Sequence, residues 1–178
     1  MGSTWNQVWT TLQDELALGS AEELTRTATR LVVAVLLGAL LGYDRERRDS
    51  AAGLRTHMLV ALGAALFVIV CEQAGMDHAD LSRIIQGVVA GIGFLGAGAI
   101  IKLNEKEQVK GLTTAATIWA TAAIGIAAGM GYEATAVFST LLALVILALL
   151  LRVERRIAHR HLVEPAGSRG LPPEPAAR

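Results

Sequence analysis

Charged positions in this chain fall in clumps, and between the clumps lie long apolar blocks. Five of these blocks, Leu24–Tyr43, Leu54–Cys71, Ile84–Ile101, Gly111–Gly131 and Ala134–Leu151, are close to the length of a membrane span. A spanning helix needs roughly 20 apolar residues to cross about 30 Å of hydrocarbon at about 1.5 Å per residue. The pattern predicts an all-α fold, a polytopic membrane bundle of five transmembrane helices within residues 24–152. The fourth block is 21 residues without a charge, and only Tyr132 and Glu133 separate it from the fifth, so a tight turn must join them.

Upstream, Trp5, Val8, Trp9, Leu12 and Leu16 recur at helical spacing and form one apolar stripe. Two tryptophans on that stripe predict an interfacial amphipathic segment over residues 1–23, the alternative being a short disordered leader. Residues 1–23 contain no Lys or Arg, so they lack the basic start of a signal peptide. Ser20 followed by Glu23 reads as a capping box opening the first span. Arg26 and Arg30 share a helix face there, with Glu22 one turn before Arg26. They form either an interfacial ion-pair ladder or, for Arg30, a contact inside the bundle.

Orientation follows from the retention of Lys and Arg in short loops on the cytoplasmic side. Thirteen of the 16 Lys and Arg lie in the first loop, the third loop and the carboxyl-terminal segment, against three in the amino-terminal flank and second loop. Five spans with the amino terminus outside and the carboxyl terminus cytoplasmic produce that alternation. After Arg152 a basic stretch continues the last helix, and Pro165, Pro172, Pro173 and Pro175 then mark a tail within 153–178 expected to be disordered.

Composition agrees with lipid as the solvent: 53% of the 178 residues are hydrophobic. The net charge is zero, which gives no reason to expect nucleic acid. Cys71 is the only cysteine, excluding an intrachain disulfide, and the four histidines, at 57, 78, 159 and 161, do not form a zinc set. No nucleophile and base stand in a catalytic spacing, so no enzyme, cofactor or metal site is expected.

The third block is the richest in glycine, with Gly87, Gly91, Gly93, Gly96 and Gly98. Its GxGxxG spacing is no dinucleotide loop, because neither the preceding strand nor the later acidic residue of that fingerprint is present. Gly87 with Gly91, Gly38 with Gly42 and Gly125 with Gly129 form GxxxG pairs suited to close helix packing. Loosened helix lining a polar path is the alternative for the third block. Thr113, Thr117 and Thr121, with Thr114 beside them, share a face of the fourth block and either bond back to their own helix or line such a path. No Asp, Glu or Lys lies near the centre of a span, which disfavours an ion-coupled pump. Charge concentrates instead in GYDRERRDSAAGLRTH, with Asp44, Arg45, Glu46, Arg47, Arg48, Asp49, Arg55 and His57. A positive-inside loop accounts for the basic excess. The interspersed carboxylates point to internal ion pairs or a docking surface, and Asp44 and Glu46 beside four arginines make a poor Mg²⁺ site.

These strings, together with AGLRTHMLVALGAALF, GVVAGIGFLGAGAII and VKGLTTAATIWATAAIGIAAGMGY, resemble the MgtC/SapB family of bacterial inner-membrane proteins over roughly Leu31 to Arg152. By that resemblance Arg55, Thr56, His57, Gly91, Gly93, Phe94, Gly96, Gly98, Gly111, Thr113, Thr114 and Trp119 belong to the family signature. It implies a multi-pass protein of the bacterial inner membrane that serves adaptation to low magnesium, acid or host environments. In some members it does so by restraining other membrane proteins. Tyr43 and Asp44 depart from the family pattern, which is closer to Leu-Glu. Many members also carry a folded cytosolic carboxyl-terminal domain where this chain has a short proline-rich tail.

Three functional expectations result. The first is a non-enzymatic regulator docking beside another inner-membrane protein in the lipid bilayer, with Asp44, Arg45 and Glu46 in its cytoplasmic contact. The second is a passive path for Mg²⁺ or another small solute, lined by the glycines of the third block, Gly93 among them, and the threonines of the fourth, Thr117 among them. The third is a homo-oligomeric stress protein paired through GxxxG faces.

Overall fold

A computed structural model describes residues 2–15, 20–103 and 108–162. The order is α1 (Gly2–Glu15), α2 (Ala21–Glu46), α3 (Leu54–Gln73), α4 (His78–Ala99), β1 (Ile101–Leu103), β2 (Gln108–Lys110), α5 (Leu112–Gly129) and α6 (Glu133–Leu162). The chain divides into two compact units, Met1–Ala143 and Leu144–Arg178, so that α6 begins in the first and continues in the second. The first unit contains four helices, α2 to α5, long and apolar enough to cross a membrane. In α6 the apolar stretch Glu133–Leu149 is shorter. The protein is a polytopic α-helical membrane protein. The disorder expected of the proline-rich tail concerns residues 163–178, which lie outside the described residues.

Local signals start and stop the helices. At Ser20 both legs of the capping box form: the serine hydroxyl accepts from the Glu23 amide at 3.2 Å, and the Glu23 carboxylate accepts from the Ser20 amide at 3.0 Å. Asp77 caps α4 by accepting from the Ala79 and Asp80 amides. On α1 the side chains of Trp5, Val8, Trp9 and Leu12 are all exposed.

The third apolar block ends sooner than its composition predicts. Helix α4 stops at Ala99, Ile100 is extended, and an antiparallel pairing of Ile101 with Lys110 through Leu103 with Gln108 replaces an irregular loop. This hairpin returns the chain to the end of α4 at Gly111. There φ is +96° and a side chain would run into the Ala99 carbonyl, so only glycine fits the start of α5.

Helix α3 is the centre of the first unit. It packs chiefly against α2 and α5, and α4 lies mainly against α5. Two GxxxG pairs make the approach to α3 close. A Cβ on Gly38 or Gly42 of α2 would fall 2.7 Å from the His57 carbonyl oxygen or the Leu54 Cα, and one on Gly129 of α5 would fall 2.7 Å from the Ala65 carbonyl oxygen. Gly125 lies still closer to the Ala61 backbone. Ala64, Val68, Ile92, Ile118, Ala122 and Ile126 fill the space between α3, α4 and α5. With lipid outside, dispersion contact between small-residue faces holds such helices together.

The third GxxxG pair behaves differently. Nothing lies within 4 Å of a Cβ built on Gly87, Gly91, Gly93 or Gly98, and Gly96 alone meets a neighbour, Ala115 of α5. Only 6% of the apolar window of α4 is buried, against 50% for α5. Among the described residues the close packing expected of this glycine face is therefore absent: Gly87 and Gly91 face a cleft toward Gly63 and Ala64 of α3 that no backbone closes.

Candidate functional site

The last turn of α2 carries charges whose spacing decides their partners. Asp44 and Arg48 stand four apart and meet on one face, the carboxylate accepting from Nε at 2.8 Å and from Nη2 at 2.6 Å. This hydrogen-bonded carboxylate raises the pKa of Arg48, so the guanidinium stays charged. Arg47 lies 5.6 Å over the ring of Tyr43. The helix ends at Glu46 with Arg47 as its C-cap, and the turn closes through Asp49, in the left-handed region with φ +50°, before Ser50 donates its amide to the Arg45 carbonyl.

Glu46 crosses this turn. Its carboxylate accepts the Leu54 amide at 2.9 Å and so caps α3, whose N-cap residue, Gly53, has no side chain of its own to do so. The missing Cβ of Gly53 leaves the room that the Glu46 carboxylate occupies. Asp44 and Glu46 are thus both engaged inside the chain.

Arg45 turns inward and is 9% exposed. Its Nη2 donates to the Ser50 hydroxyl at 3.3 Å, and Ser50 in turn shares a 2.8 Å hydrogen bond with the buried Thr114 of α5. His57, fully buried, lies on α3 against Gly42, one turn before Arg45. Its Nδ1 is 2.8 Å from the Gly53 carbonyl, an acceptor only, so Nδ1 carries a proton and donates. Among the described residues neither His57 Nε2 nor Arg45 Nε has a hydrogen-bond partner. Arg45, Ser50 and Thr114 thus form a hydrogen-bonded chain from the end of α2 through the loop to α5, while the buried His57 of α3 is bonded to the start of its own helix.

The other residues singled out in the sequence disperse. Arg55 is exposed, and with Thr56 it stands at the end of a cleft between α3 and α4 that Gly91 also lines. Gly93, Phe94 and Gly98 are exposed on α4, Phe94 at 82%. Thr113 and Trp119 are exposed on α5, whereas Thr117 and Thr121 are buried and donate to the Thr114 and Thr117 carbonyls, each at 2.8 Å. Gly93 and Thr117 are not brought to one surface. Ser50 was not singled out, and its only signal is its place in the charged loop.

At the opposite end, Arg30 takes the bundle-facing alternative: it pairs with Glu72 of α3 and donates to the Gly129 carbonyl of α5 at 3.1 Å. Arg26 pairs with Glu22 on the surface. Among the described residues no three of His, Cys, Asp or Glu gather closely enough to hold a metal ion.

The family profile described as MgtC family matches residues 31–156. The chain is 45% identical over 137 residues to protein SrpB of Synechococcus elongatus, covering 71% of this chain and 75% of that protein. It is 45% identical over 127 residues to protein MgtC of Brucella abortus, covering 71% of this chain and 52% of that one. With the protein named "Putative magnesium transporter YhiD" of Escherichia coli K12 it shares 38% over 139 residues, 74% of this chain and 64% of that protein. It thus spans about half to three quarters of the relatives it matches, and no solved structure matches it. On the extent of the profile match and these identities, the chain belongs to the MgtC family.

Proposed function

We propose that this protein is a non-enzymatic regulator of the bacterial inner membrane, acting on another membrane protein during low-magnesium, acid or host-associated stress. In this reading it spans the membrane five times, with the amino terminus outside and the basic loops cytoplasmic. The observation that carries it is the open outer face of α4. Ala90, Gly93, Phe94 and Ala97 are exposed on a helix that buries almost nothing within the chain. Small residues at such positions let a second helix approach to backbone contact. A photocrosslinker at Phe94 is the test, with recovery of one membrane protein from cells as the expected result. Recovery of lipid alone refutes it, and recovery of a second copy of the chain supports the homo-oligomer instead.

A second reading, a passive path for Mg²⁺, is favoured by the name of the Escherichia coli relative. Against it, the Thr117 and Thr121 hydroxyls donate to their own helix. Magnesium flux into liposomes carrying the purified chain decides this reading. Flux equal to that of empty vesicles, unaltered by Thr117→Val, ends it.

A further inference from the structure

We propose that the cleft between α3 and α4 is a phospholipid site. One acyl chain lies along the cleft, and an anionic phosphate meets Arg55 and Thr56 at its end. The cleft has a volume of about 780 Å³. Its floor is widened by Gly63 on α3 and by Gly87 and Gly91 on α4, and a Cβ on any of these meets nothing within 4 Å. Every residue lining it is apolar or glycine except Arg55 and Thr56, which are adjacent and stand together at the start of α3. Arg55 is exposed and has no ion-pair partner among the described residues.

This division, oily along its length and cationic at one end, matches an anionic lipid in both parts. From Arg55 to Phe67 the cleft runs about 18 Å at ~1.5 Å per residue. One leaflet supplies about half of the ~30 Å hydrocarbon thickness. The cleft is thus one leaflet deep, with its arginine at the headgroup level, where basic side chains attract anionic lipid. The site is separate from the outer face of α4 assigned above to a protein partner.

The test is native mass spectrometry of the full chain in a mild detergent, titrated with dioleoyl phosphatidylglycerol or dioleoyl phosphatidylcholine. Phosphatidylglycerol is expected to be retained about fivefold better, because its net negative charge, unlike that of phosphatidylcholine, is not cancelled within the headgroup. Arg55→Gln removes that preference. Gly63→Leu and Gly87→Leu, which fill open space, reduce retention of both lipids, whereas Gly93→Leu, outside the cleft, does not. Equal retention of the two lipids overturns the assignment, as does retention unchanged by both cleft-filling variants. A dimer or an extra polypeptide mass lost on filling the cleft also overturns it, by seating protein there.

Discussion

Arg30 of α2 and Glu72 of α3 form an ion pair in which the arginine side chain is nearly covered, at 12% exposed, and the glutamate is half open, at 51%. That asymmetry makes the two partners unequal. Removing Glu72 leaves Arg30 its bond to the Gly129 carbonyl and a path to water, so Glu72→Gln is expected to cost under about 1 kcal/mol. Arg30→Gln removes both contacts and is expected to cost about 1–3 kcal/mol. Thermal unfolding of the two variants in the same detergent checks the order.

The bond from Glu46 to the Leu54 amide is a helix cap supplied across a turn. Glu46→Ala is expected to cost about 1 kcal/mol, in the range of other lost caps. Gly53→Ala puts a methyl where the carboxylate sits, so it displaces Glu46 and produces the same loss. The double variant is then no less stable than the worse single one, a non-additivity that a double-mutant cycle reads.

Glycines of the same spacing are expected to respond in opposite senses. Gly129→Ala drives a methyl into the Ala65 backbone and is expected to cost about 1–3 kcal/mol, as overpacking does. Gly87→Ala meets open space within a helix and is expected to stabilise by about 0.5–1 kcal/mol. Paired melting curves distinguish them.

The buried threonines divide similarly. Thr121→Val removes a hydroxyl bonded only to its own helix and is expected to change stability by less than about 1 kcal/mol. Thr114→Val also cuts the link to Ser50, and with it the support of Arg45. Hydrogen exchange is therefore expected to rise over residues 45–57 in Thr114→Val and to stay unchanged in Thr121→Val.

Features whose determinants lie within a few residues were legible in the sequence. The Ser20–Glu23 box and the Glu22–Arg26 pair are local, and the four apolar helices α2 to α5 follow from composition. What depended on distant chain was not. The position of Arg30 is set by residues 42 and 99 positions away, and nothing beside Arg30 announces either. The strands Ile101–Leu103 and Gln108–Lys110 are three residues each, too short to show a period. Three GxxxG pairs look alike, yet only those facing the alanines and backbone of α3 are closed, and that is a property of the neighbour. In the candidate site, the charge types were visible in the string, but which of them turn inward was decided by Ser50, Gly53 and Thr114.

Helix α3 is clasped on two flanks by main chain, with Gly38 and Gly42 on one side and Gly125 and Gly129 on the other. Contacts of that kind have no rotamers to yield, so α2, α3 and α5 must shift as one body or separate outright. Whatever adjustment this protein makes in the membrane then falls to α4, the least buried of the four long apolar helices among the described residues.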